Sequence, residues 1–184
     1  HRLPLSELSF PFRPPAWLAN RHLQSVLPSL PIRRASVERR AASMIAASRQ
    51  LILDCGEGVR LSAWIADPDS HRVRAPRRLA VLLHGWEGSS NSLYLLSVAQ
   101  MLHEQGLTVV RLNLRDHGDS HALNRGLFHS CRIAEVVGAV GRLQALYPDA
   151  SLSLAGFSLG GNFCLRIGAR APRAGIRIAR IVAV

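Results

Sequence analysis

The nine residues from Leu154 to Asn162 constrain the fold more than any others in the chain. They read Leu-Ala-Gly-Phe-Ser-Leu-Gly-Gly-Asn. An apolar strand over residues 151–155 runs into Gly156-Phe157-Ser158-Leu159-Gly160, and an apolar, helix-compatible stretch over 163–171 follows. A strand that turns this sharply into a helix strains its central residue. It also leaves no room for a Cβ at the flanking positions, a demand that Gly156 and Gly160 meet. The spacing therefore predicts a nucleophile elbow. Ser158 would stand at the C-terminal edge of a sheet and at the N-terminus of a helix, where free N–H groups stabilise developing negative charge.

Around this turn, strands and helices alternate. Residues 50–55 and 59–65 predict a hairpin of half-buried strands about the turn Gly56-Glu57-Gly58. The continuous apolar run at 79–83 predicts a central strand covered on both faces. A helix is expected over 93–105 and ended by Gly106, then a strand over 108–114 and a helix over 133–146. The elbow strand and its helix come next, with one more strand from 177. This order predicts an α/β fold: a mostly parallel sheet with helices on both faces, and the early hairpin as an antiparallel edge. Residues 36–48 show little pattern and suit a loop or a short helix.

Residues 1–35 are expected to form an arm that packs on the domain formed by 36–184. The arm carries Pro4, Pro11, Pro14, Pro15, Pro28 and Pro31 with Phe10, Phe12 and Trp17 interleaved. Asn20 is a candidate cap for a helical turn within it. The chain begins at His1 and stops at Val184 within an apolar, β-branched run. It therefore reads as the N-terminal part of a larger domain, cut after the elbow helix and the start of the next strand.

Composition narrows the function. All 23 basic residues are Arg, scattered and without a recognisable nucleic-acid module, so the net charge of +11 does not point to nucleic acid. Cys55, Cys131 and Cys164 have neither metal-ligand spacing nor an even disulfide set. They fit thiols in a reducing compartment, so a cytoplasmic location is expected. No metal cluster, cofactor motif or membrane-spanning run is visible.

Two further stretches fall at strand ends on the elbow's side of the sheet. His84-Gly85-Trp86-Glu87-Gly88-Ser89-Ser90 follows the first central strand. The backbone N–H groups of Trp86 and Leu159 are the candidate oxyanion-hole donors. His84, Gly85, Gly156 and Gly160 shape the site, and His84 reads as a brace rather than a base. Asn113 to Ser120 contains Asp116-His117. Adjacent residues rarely orient one imidazole toward a third group, so this pair reads as a hydrogen-bonded loop beside the site.

In this order the motifs resemble the α/β-hydrolase fold. More narrowly, the chain is similar to the YheT-like branch of predicted esterases and lipases, related to the mammalian abhydrolase-domain lipases. Pro14-Pro15-Ala16-Trp17, the segment from Asn20 to Ser25, the segment from His84 to Ser92, the segment from Asn124 to Ser130 and the elbow itself carry the resemblance. It implies that Ser158 is the nucleophile of a serine hydrolase cleaving a small-molecule ester or lipid through an acyl-enzyme, with Trp86 and Leu159 as oxyanion residues. It also implies an acid and a histidine after the nucleophile, and residues 159–184 contain no Asp, Glu or His. As it stands, the chain is expected to be inactive. Other acyl-transfer chemistry (thioesterase, amidase, acyltransferase) and a non-catalytic binding module of the same fold are the competing expectations.

Overall fold

A computed structural model describes residues 13, 15–27, 31–69 and 76–184. The expectations that rest on Pro4, Phe10, Pro11, Phe12, Pro14 and Pro28 lie outside the described residues. The chain divides into two compact units, residues 1–36 and 37–184.

In the first unit, a 3-10 turn at Ala16–Leu18 precedes helix α1, Arg21–Val26. Asn20 caps α1 as its residue type suggests: its side-chain oxygen accepts from the N–H of His22 at 2.9 Å and of Leu23 at 3.4 Å. The Gln24 amide donates to the Leu18 carbonyl and ties helix to turn.

The second unit holds a six-stranded sheet. Its strands are β1 (Ser48–Asp54), β2 (Arg60–Ala66), β3 (Arg78–Leu83), β4 (Thr108–Leu112), β5 (Ser151–Gly156) and β6 (Arg180–Ala183). The order across the sheet is β1-β2-β4-β3-β5-β6. β1 and β2 form the antiparallel edge hairpin, β2 meets β4 antiparallel, and β4, β3, β5 and β6 run parallel.

Strand periodicity divides the core into two layers. From β3, Leu79, Val81 and Leu83 face one layer with α4 (Ile133–Leu146) and α5 (Leu159–Arg170). Ala80 and Leu82 face the other layer with α3 (Leu93–Glu104). This explains why β3 is apolar throughout rather than alternating. Helix α2, Pro31–Ala46, corrects the expectation of a loop or short helix at 36–48. Its Val37, Ala41 and Met44 recur at helical spacing and are buried in the α3 layer, while arginines and small residues occupy most of its remaining surface. The elbow helix also starts earlier than its apolar stretch suggests, at Leu159, because the glycines of the turn already have helical geometry.

The long connection from β4 to α4 is held by one buried ion pair. Arg115 Nη2 lies 2.7 Å from Glu135 Oε2, with both side chains at most 5 % exposed. Arg115 Nη1 also donates to the carbonyl of Arg125 at 2.9 Å. The pair therefore fastens the 124–130 loop to the first turn of α4, where a carboxylate also suits the helix dipole.

Candidate active site

Ser158 sits between β5 and α5 with φ 51° and ψ −114°, a backbone conformation that costs a non-glycine residue on the order of 1–3 kcal/mol. Main-chain bonds hold it there. The Ser158 N–H donates to the Val184 carbonyl at 2.7 Å, and the Val184 N–H donates to the Gly156 carbonyl at 3.0 Å. The flanking glycines are required by contact. A Cβ on Gly156 would lie 2.3 Å from the carbonyl carbon of Gly160, and one on Gly160 would lie 2.4 Å from the Leu83 oxygen. The serine itself is exposed.

The loop after β3 comes directly to it. A Cβ on Gly85 would sit 3.5 Å from the Ser158 Cβ and 3.2 Å from the Phe157 oxygen. Gly85, Trp86, Tyr94, Phe157 and Ser158 line one cavity of ≈ 290 Å³. Thus four of the sequence candidates, Ser158, Gly85, Gly156 and Gly160, converge, and Trp86 borders the same cavity. Leu159 is the first residue of α5, where N–H groups have no intrahelical partner.

His84 is fully buried with both ring nitrogens engaged. Its Nδ1 lies 2.8 Å from the Gly85 carbonyl, which can only accept, so Nδ1 carries the proton. Its Nε2 accepts from the Leu114 N–H at 3.1 Å. The ring is a neutral strut between the two loops. Burial is the main cause that lowers its pKa from 6.5 to about 4; the Gly85 bond opposes this and nearby His117 adds to it. The unfolded chain therefore takes up a proton near pH 6.5 that the folded chain resists down to pH 4. Stability should fall as pH drops through that window, by roughly 3 kcal/mol at its lower end. Two-dimensional NMR of the ring nitrogens should show the neutral tautomer at pH 5, and a ring protonated at pH 6 would exclude this arrangement.

Asp116 and His117 do not form a catalytic pair. Asp116, at φ 57°, accepts the Phe128 N–H on its carboxylate at 2.6 Å. His117 Nδ1 is 2.7 Å from the Arg115 carbonyl. The carboxylate therefore orders the 124–130 loop rather than the imidazole. This brings Phe128 against His117 at 4.9 Å and Trp86 at 5.8 Å between ring centroids, forming an aromatic wall beside the cavity. Trp86, which borders the cavity, is itself 62 % exposed.

Below the loop, Arg111 is 2 % exposed and donates to the Ser90 carbonyl, the Asn91 side chain and the Ser48 hydroxyl. Asn113 accepts the Ser90 N–H at 2.7 Å and donates to Ser62 and Asp119. These polar groups, from β4 and the residue after it, fix the loop that carries Trp86. Tyr94, Arg111 and Phe128 were not among the sequence candidates. The signal for Tyr94 was its place in the first turn of the helix after the His-Gly loop, the end nearest the strand termini. Phe128 lay within a motif whose contact partners are distant in sequence.

Among the described residues no group of three or more His, Cys, Asp or Glu side chains is placed to hold a metal ion, and no helix is long and apolar enough to cross a membrane.

Residues 80–184, more than half the chain, match the family model described as alpha/beta hydrolase fold. The chain belongs to the α/β-hydrolase family. The chain is 30 % identical over 152 residues to YheT of Escherichia coli (strain K12), an alignment covering 82 % of the chain and 41 % of that protein. A serine hydrolase without lid from Xanthomonas campestris superposes with a TM-score of 0.57 and 30 % identity, over 66 % of this chain and 56 % of that one. The Pf2001 esterase of Pyrococcus furiosus shares the fold, with a TM-score of 0.60 and 23 % identity over 74 % and 50 % of the two chains. The chain thus spans about half the length of the relatives it matches, or less.

Proposed function

We propose that this chain carries the nucleophile half of a serine hydrolase of the YheT-like branch that cleaves carboxylic esters through an acyl-enzyme on Ser158. One observation carries the reading. Ser158 is held at a strained φ of 51°, exposed, in a cavity that it shares with the Gly85-Trp86 loop. Strain of this kind persists where surrounding structure imposes it, and here it presents one hydroxyl to a small apolar cavity. The Trp86 and Leu159 amides receive the carbonyl oxygen as it becomes an oxyanion. Backbone donors suit that task because they are oriented before charge develops.

A serine hydroxyl is a weak nucleophile without a base. His84 does not serve, since both its nitrogens are engaged. In this reading the base and its orienting acid lie in the part of the whole protein outside residues 1–184. The extra length of the relatives supports that assignment. The 184-residue chain alone is inactive in this reading.

The exposed Trp86 ring at the cavity suits an ester with an apolar acyl or alcohol group. We also propose a cytoplasmic location, which rests on the three cysteines, Cys55, Cys131 and Cys164, all free thiols. The test is covalent. The full-length protein, treated with a fluorophosphonate probe and digested, should yield one labelled peptide, modified at Ser158. Label on another residue, or none at all, would refute the assignment.

A further inference from the structure

The hydroxyl of Tyr94 is a polar group in the cavity to which the mechanism above gives no task. Tyr94 is the second residue of α3, half-buried, with its ring tilted against Phe157 at 4.9 Å. Its oxygen accepts the Gly85 N–H at 2.9 Å. The missing side chain of Gly88 makes room for it. A Cβ on Gly88 would lie 2.7 Å from the Tyr94 oxygen, closer than side chains tolerate. A Cβ on Gly85 would lie 3.6 Å from that oxygen and 3.5 Å from the Ser158 Cβ. The phenol and the nucleophile therefore flank the same point at the cavity floor, and both line the cavity.

A phenol that accepts one hydrogen bond still has its own O–H to give. Among the described residues no group takes that proton. Accepting the Gly85 N–H also polarises the O–H and makes it a better donor. We propose that Tyr94 is a catalytic residue, a side-chain donor to the ester carbonyl oxygen beside the Trp86 and Leu159 amides. This rests on the ester-hydrolase reading of Ser158. In the step concerned, the Ser158 oxygen bonds to the carbonyl carbon and the C=O π pair moves onto the carbonyl oxygen. The serine proton passes to the imidazole base of the whole protein. Tyr94 keeps its proton and shares it with the oxyanion. When the pair returns, the bond to the leaving alkoxide breaks, the imidazolium protonates that alkoxide, and the Tyr94 bond weakens again.

The experiment compares full-length wild type, Tyr94→Phe and a variant carrying a fluorinated tyrosine at position 94, using a p-nitrophenyl ester. Tyr94→Phe should lower kcat by about 10²-fold, the usual loss for one oxyanion donor, with KM nearly unchanged. Inhibition by a trifluoromethyl ketone, which forms a tetrahedral adduct on serine, should weaken by the same factor. The fluorinated phenol keeps the Gly85 bond but ionises at lower pH, and a phenolate has no proton to give. Its kcat should therefore fall at high pH where that of wild type does not. If Tyr94 only braces Gly85, the phenolate accepts that N–H at least as well and no such fall appears; that outcome overturns the proposal even if Tyr94→Phe fails to fold. Wild-type kcat in a folded Tyr94→Phe protein overturns it as well. Both outcomes leave the ester-hydrolase reading intact, whereas a wild type that neither turns over ester nor labels at Ser158 removes both.

Discussion

Ser158→Ala in the full-length protein is expected to lower kcat for ester hydrolysis by about 10⁶ and to abolish fluorophosphonate labelling. The size follows from what the residue does: removing the nucleophile removes the covalent route itself, and only oxyanion stabilisation and binding are left. Those alone support roughly 10³–10⁴ over the reaction in water. Stability should barely move. The serine is exposed, and its fixed contacts run through its main chain, with the N–H donating to Val184. Alanine keeps the Cβ, so it keeps the strain at φ 51°. The unfolding free energy should stay within about 0.5 kcal/mol of wild type. Steady-state kinetics and urea unfolding on the same preparations check both halves. A variant that retained one hundredth of the wild-type rate would exclude Ser158 as the nucleophile.

The second large effect concerns the fold itself. Gly160→Ala should cost about 4 kcal/mol. Its Cβ would lie 2.4 Å from the Leu83 oxygen and 2.5 Å from the His84 oxygen. These are backbone atoms at the end of β3, so no rotamer change can relieve the clash, and α5 must lift from the sheet. The damage would include the site, because Ser158 and Leu159 move with that helix. Gly141 provides the control. It lies within α4, and a Cβ there meets only the Ile176 side chain at 3.7 Å, an ordinary contact. Gly141→Ala should therefore be neutral or stabilising by up to about 1 kcal/mol through helix propensity. Urea midpoints decide. Equal midpoints for Gly160→Ala and wild type would mean that close packing is not what requires glycine at the elbow.

These two glycines also show why part of the molecule is legible in its sequence. At the elbow part of the constraint is local: a Cβ on Gly156 would meet the backbone of Gly160 and Gly161, so the chain packs on itself within a few residues and few residue types fit. β3 is legible for a related reason, since coverage by helices on both faces leaves a continuous apolar run. The order of strands is less so. β4 lies between β2 and β3, and nothing along residues 108–112 announces which neighbours it will have, because pairing energy depends on residues far away in the chain. Helix α2 was hidden for another reason. Only Val37, Ala41 and Met44 of its second-unit residues are buried, a narrow stripe among arginines and small residues. Arg111 reads as a polar interruption in a strand, and only the folded structure supplies the Ser90 carbonyl and the Asn91 and Ser48 side chains that satisfy it. In the site, the glycines and the serine are found from spacing. Tyr94 and Phe128 are not, because what matters in them is where a hydroxyl and a ring arrive, and loop closure decides that.

The contact of Gly160 with the end of β3 has one more consequence. Nucleophile turn and oxyanion loop are gauged against each other where the Gly160 backbone meets the Leu83 and His84 carbonyls. Ordinary substitution elsewhere in the core can change volumes without changing that gauge. The reacting geometry is thereby insulated from drift, and adaptation to new substrates is channelled to the outer ring of the cavity. There Trp86 projects into solvent and can be exchanged at small cost to the fold.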